Sequence, residues 1–207
     1  MREIFLIAHP EATHVTDQLI GGWHDSTLTE KGFREAALIG DHLKNALPQG
    51  QRRLIVSSDL MRTRATAEII SEQLGTDVEF DSELRERSYG AAEGKRVGTV
   101  PSLEPPPRSG DRMNHRSSVQ GTETRQEWAS RVYRAMQRVI DRECPQAVIV
   151  THGGSITYLI AAWIGLPLES AGFAKFVSSP GGITHLREDA TTFDRQVVAL
   201  NQLDHLE

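Results

Sequence analysis

A single cysteine, Cys144, leaves the 207-residue chain without the means to form an internal disulfide. It precedes Pro145 at an expected helix end, where a structural role suits it better than nucleophilic chemistry. Long apolar runs are missing too. The most apolar stretch, "LIAAWIGLPL", is broken by glycine and proline and is too short to span a bilayer. There is no excess of positive charge: the formal net charge is −5, which gives no general attraction to nucleic acid or to an anionic membrane. The eight histidines show neither an HExxH pattern nor any other compact ligand spacing, so no metal and no cofactor is expected. Met1-Arg2-Glu3 leads straight into an apolar run and lacks the charged-apolar-small pattern of a secretory signal. The expectation is a cytoplasmic, soluble chain whose partner is a small molecule.

What is present is alternation. Apolar runs and helical periodicities follow each other, the pattern of an α/β domain with a largely parallel sheet. Residues 3–8, "RRLIVSS", "VEFDSEL" and "AVIVTH" read as strands, and the tail from "ITHL" to "VVAL" as two strands joined by a turn. "LTEKGFREAALIGDHLKNAL" reads as a helix with Thr29 as N-cap. Ser58 or Asp59 is expected to cap a second helix that Gly75 closes. Trp128, Val132, Met136 and Val139 mark one face of a third, and Ser155 to Ile164 forms a fourth. Residues 95–121, with "EPPPRSG", have little periodicity and read as an irregular cap. No repeat or linker divides the chain, so residues 1–207 are read as one domain.

Two strands end alike. "FLIAH" delivers His9 and "VIVTHGG" delivers His152, the second followed by glycines that open a helix. Such strand ends are where open α/β sheets place their chemistry, and a helix N-terminus favours an anion. Either ending, taken alone, is also satisfied by a solvated imidazole on a turn. "VSSDLMRTRATA" puts Arg62 and Arg64 in the first turns of a helix, where the dipole disfavours cations. Beside two histidines, Arg62 becomes a candidate anion clamp. Glu86, in "LRERSYGAAEG", is a solvated charge unless it faces the same place, in which case it is a candidate proton donor.

Together these pieces resemble the histidine phosphatase superfamily, the phosphoglycerate mutase-like proteins. The family's Arg-His-Gly-Glu is matched by Ala8-His9-Pro10-Glu11, its "LT..G..QA" helix start by "LTEKGFREA", and its "SSDLxRTxxTA" by Ser57 to Ala67. Its acidic motif is matched by "LRERSYGAAEG" and its late His-Gly by "THGG", in family order from residue 4 to about residue 186. The resemblance implies a three-layer α/β/α sandwich with a mostly parallel central sheet and a variable cap at 95–121. It implies a metal-independent phosphomonoesterase in which His9 is the nucleophile, Glu86 the acid and then the base, and His152 a catalytic partner. Arg62, Ser58 and Gly153 are placed on the substrate by the same resemblance.

The chain departs from the family where a phosphate should bind. Ala8 replaces an arginine, Pro10 replaces a glycine and offers no N–H, and Pro180-Gly181-Gly182 replaces an Asn-x-Ser. Three readings stay open. One is a phosphatase in which Arg34, Arg85, Arg87, Lys95 or Arg96 restores the charge. A second is an enzyme using His9, His152 and Glu86 as acids and bases on a substrate without phosphate. The third is a binding protein without catalysis. His24, in "GGWHD", and His14, before it, are expected at the surface, and exposed apolar residues in the last strands are compatible with a homodimer.

Overall fold

Arg2–Ala8 forms β1 because "EIFLIA" is apolar on both faces, as a strand covered by helices on both sides must be. The computed structural model describes residues 2–100 and 106–207. After β1 come a short α1 (Thr13–Thr16), α2 (Glu30–Ala46), β2 (Arg53–Ser57), α3 (Met61–Leu74) and β3 (Val78–Phe80). Then follow α4 (Arg125–Asp141), β4 (Gln146–Thr151), α5 (Gly153–Trp163), β5 (Ile183–Glu188) and β6 (Arg195–Gln202). The sheet order is β3-β2-β4-β1-β5-β6, with β1 to β4 parallel and β5 and β6 antiparallel.

Successive residues of a strand face opposite sides, and β1 serves two cores accordingly. Ile4, Leu6 and Ala8 pack with Trp128, Val132 and Met136 of α4 and with Ile156 and Leu159 of α5. Phe5 and Ile7 pack with Ile39 and Leu43 of α2 and with Ala67 and Ile70 of α3. This is the three-layer α/β/α sandwich. The expected face of α4 is buried, and Thr29 caps α2 by accepting from the Gly32 N–H. Gly75 closes α3 with φ at +62°. Cys144 is buried, with its thiol on the carbonyls of Arg52 and Gln146.

Several expectations need correction. Neither Ser58 nor Asp59 caps α3, because each side chain has a tertiary partner: the His152 ring and the Arg85 guanidinium. The Met61 N–H goes instead to the Asp25 carboxylate, from a loop 36 residues earlier. "VEFDSEL" is strand only to Phe80, since Asp81 turns the chain by accepting from the Glu83 N–H. The helix expected from Ser155 starts at Gly153. Of the cap, residues 101–105 lie outside the described residues. The rest is turns, tied down by bridges Leu19–Arg96 and Tyr89–Thr122 and by buried Met113. β6 is a sheet edge with Val198 and Leu200 exposed.

Candidate active site

Register brings the two histidines together. β1 and β4 run parallel with Ala8 opposite Thr151, so the next residues on each strand, His9 and His152, emerge side by side at the carboxyl edge. Their ring centroids stand 5.2 Å apart at 71°. β2 pairs with β4 through Ser57 and Val150, which puts Ser58 beside them in turn. The Ser58 hydroxyl lies 2.9 Å from His152 Nε2. His152 is 1 % exposed, and its Nδ1 is buried with no hydrogen-bond partner among the described residues.

The protons on His9 are fixed by its neighbours. Nδ1 lies 2.8 Å from the Pro10 carbonyl, which can only accept, and the Arg62 Nε–H donates to Nε2 across 3.2 Å. These contacts assign the hydrogen to Nδ1 and leave Nε2 with its lone pair. Burial first, and the Arg62 charge second, push the His9 pKa down to about 3. The ring is therefore neutral at pH 7. His152 is likewise held well below the ordinary imidazole value, chiefly by burial and then by Arg62 and His9.

Arg62 is 1 % exposed and does not wave in solvent. Its Nη1 donates to the His24 carbonyl at 2.8 Å and its Nη2 to the Gly22 carbonyl at 2.7 Å. Burial lowers its pKa to about 10, with Glu86, Asp25 and Glu93 pulling it back up. It remains a cation at neutral pH.

Glu86 is fixed from all sides. Its Oε1 accepts from the Arg87 N–H and its Oε2 from the Gly154 N–H, both at 2.9 Å. Burial raises its pKa against these two contacts and the charges of Arg62 and Lys175. A Cβ on residue 154 would stand 2.5 Å from Oε1, so only glycine lets α5 approach this closely. The backbone behind Glu86 is held by Thr151 and Ser155, whose hydroxyls donate to the Leu84 and Arg85 carbonyls. Arg131, 7 % exposed on α4, donates to the carbonyls of Glu83, Arg85 and Glu86 and pairs with Glu123. Trp23 adds an indole N–H to the Glu86 carbonyl at 2.7 Å. The sequence marked Gly154 only as one of two glycines opening a helix, and did not single out Arg131 or Trp23. Of these two, Arg131 alone left a trace there, as a charge within the apolar face of α4.

The remaining candidates divide. Gly153 opens α5 beside the histidines, against the Ser178 carbonyl. Arg85 is spent on Asp59 in a two-point ion pair, and Arg34, Lys95 and Arg96 are exposed. Arg87, the last of the five possible replacement cations, donates from Nε and Nη2 to the Glu123 carbonyl and lines two cavities with Tyr89, one of which it shares with Glu86. His14 and His24 are not surface residues as expected. His14 is half-buried with its ring 6.0 Å from that of His9, and His24 presents its carbonyl to Arg62. His24 is drawn in because Arg62 anchors its loop, and His14 is tied to that loop through Ser26. The Pro180-Gly181-Gly182 segment closes on β1, with the Gly181 N–H directed at the carbonyls of Ala8 and His9. Among the described residues, no group of three or more His, Cys, Asp or Glu is placed to hold a metal ion.

Burying neutral imidazoles has a cost in acid. His9 has a folded pKa below its unfolded value, so its contribution to stability is present above about 6.5 and is lost as pH falls toward about 3. Within that window the unfolded chain binds a proton that the folded chain refuses, at about 1.4 kcal/mol per pH unit for this ring. His152 acts in the same direction. Melting temperature should therefore fall from pH 6.5 to pH 4, and His9→Gln should flatten the fall. An unchanged slope in that variant would contradict the assigned charge state.

Comparison with known proteins gives a family and a fold. The model of the histidine phosphatase superfamily (branch 1) matches residues 4–201. A probable phosphoglycerate mutase GpmB of Salmonella paratyphi C is 33% identical over 175 residues, covering 81% of this chain and 77% of that protein. The structure of Bacillus stearothermophilus YhfR superposes with a TM-score of 0.81 at 25% identity over 100% of both chains. That of a mycobacterial glucosyl-3-phosphoglycerate phosphatase with VO3 gives 0.80 at 24% identity, over 98% of this chain and 100% of that one, a likeness of fold. A match that begins in β1 and ends in β6 leaves no strand outside it: the chain belongs to the histidine phosphatase superfamily, in its first branch.

Proposed function

We propose that the protein is a phosphomonoesterase that acts on a small phosphorylated metabolite through a phosphohistidine at His9. The observation that carries this reading is the placing of the His9 protons. With Nδ1–H on the Pro10 carbonyl and Nε2 unprotonated, His9 is a neutral nucleophile at the end of a rigid strand. This use of residue 10 needs its carbonyl and not its N–H, so proline fills it.

In this mechanism His9 Nε2 attacks phosphorus in line while the bond to the leaving oxygen breaks, and Glu86 protonates that oxygen. Water then attacks the phosphohistidine, Glu86 takes the water's proton, and Nε2 recovers its lone pair. The Nε–H of Arg62 passes from His9 to a phosphoryl oxygen as the new bond forms, with both Nη groups still anchored on the Gly22 and His24 carbonyls. His152 donates from its unpartnered Nδ1, and Ser58 orients it through Nε2. The first turn of α5 at Gly153 supports the same charge. Arg87 supplies positive charge on the leaving-group side. The names of the relatives, a phosphoglycerate mutase and a glucosyl-3-phosphoglycerate phosphatase, belong to the same class of phosphorylated metabolites.

Ala8 is the observation that favours a second reading, in which the same histidines and Glu86 move protons on a substrate without phosphate. It is 2 % exposed, and its methyl group packs in the α4–α5 core, where it gives an anion nothing. Ala8→Arg separates the readings. On the phosphatase reading the added guanidinium contributes about 1.5–3 kcal/mol, so aryl phosphate hydrolysis should rise on the order of 10- to 150-fold above a measurable wild-type rate. Ala8→Arg/Pro10→Gly should gain more than the single variant. Negligible wild-type hydrolysis that appears only in the variants would favour the second reading.

A further inference from the structure

His14 has no task in the mechanism above, yet its surroundings are built around its ring. Ser26, itself buried, has its hydroxyl 2.7 Å from His14 Nδ1. A Cβ on Gly21 would stand 2.8 Å from Cδ2 and 2.9 Å from Nε2, so residue 21 has to be glycine for the imidazole to lie where it does. The Ser26 hydroxyl can donate to Nδ1, an arrangement that places the hydrogen of a neutral ring on Nε2. Burial, Arg62 and His24 keep the ring neutral by lowering its pKa to about 4. Nε2 has no hydrogen-bond partner among the described residues, and His14 lines a cavity of about 810 Å³ that it shares with Arg87 and Tyr89. The ring faces His9 across 6.0 Å at 62°.

We propose that His14 is a ligand of the transferred phosphoryl group, donating from Nε2 to an oxygen of the group carried on His9, and that it supplies a donor at the site where Ala8 has none. The proposal rests on the phosphohistidine reading and adds to it one phosphate contact. His9, His152, Arg62 and His14 then surround the phosphoryl oxygens from the ends of β1 and β4, the start of α3, and α1.

The test is the affinity for inorganic phosphate, by calorimetry, of the wild type and of the His14→Gln and His14→Leu variants. Glutamine and leucine are close in size, but only glutamine reaches the place of Nε2 with an N–H. His14→Leu should weaken phosphate binding about 10-fold or more, the scale of one hydrogen bond to a charged group. His14→Gln should stay within about threefold of the wild type. Should the leucine variant not fold, Ser26→Ala provides the second measurement. It keeps the ring but frees its tautomer, and a loss of severalfold is expected. Equal affinities throughout, or equal losses in Gln and Leu, would overturn the role of His14 while leaving the phosphohistidine intact. A wild type that neither binds phosphate nor labels His9 would bring down the underlying reading and this proposal with it.

Discussion

Replacing His9 with alanine should abolish turnover, a loss on the order of 10⁴-fold or more, because the variant has no group to take its place as nucleophile. The only nearby imidazoles are unsuited to substitute among the described residues: His152 is held by Ser58 through Nε2, and His14 by Ser26 through Nδ1. Fold should survive, since the His9 side chain belongs to neither core; what it loses is two ring contacts and the hydrogen bonds to the Pro10 carbonyl and from Arg62 at the sheet edge. Steady-state hydrolysis of an aryl phosphate, read with a thermal melt, checks both points. Activity within tenfold of the wild type would remove His9 from the mechanism.

Glu86→Gln should cost on the order of 100-fold or more on an alkyl phosphate, whose leaving oxygen needs a proton. The loss should be much smaller on an activated aryl phosphate, which departs without one. Glutamine keeps the size that Gly154 and Arg87 enclose but can accept from only one of their two N–H groups, so a thermal melt is read beside the rates. Glu86 also sets a pH dependence. Burial raises its pKa, so the acid form persists above the ordinary carboxyl range and is lost as pH rises through the raised value. For alkyl phosphates the rate should therefore fall on the alkaline side, and Glu86→Gln should erase that limb. An equal loss with both leaving groups would make Glu86 a positioning residue instead of the acid.

The two histidines were legible because each follows an apolar run whose end the sheet fixes. Parallel pairing of β1 with β4 turns two similar sequence endings into neighbours 5.2 Å apart. Arg62 was legible through its motif and against its local propensity, since a cation in the first turn of α3 opposes the helix dipole. The carbonyls of Gly22 and His24 explain why it is there. What supports Glu86 was not legible. Arg131, Thr151 and Ser155 reach it from three elements more than 40 residues away, and no spacing rule encodes such contacts. The cap of α3 was misplaced for the same reason, because Asp25 comes from a distant loop. His14 and His24 sit in a segment with little periodicity, which tertiary contacts from Arg62, Met61 and Glu86 draw inward. The departures at Ala8 and Pro10 could be seen in the sequence, but only the hydrogen bond from His9 shows that residue 10 serves through its carbonyl.

The central claim is that His9 Nε2 becomes covalently phosphorylated. Millisecond mixing with a phosphomonoester, an alkaline quench and peptide mass spectrometry test it directly, because phosphohistidine survives base and is lost in acid. A phosphoryl group should be found on the peptide containing His9, should disappear on acid treatment, and should accumulate when the hydrolysis step is slowed by Glu86→Gln with an activated aryl phosphate. Hydrolysis of that same substrate with an unlabelled His9 peptide, at times when turnover is under way, would contradict the account.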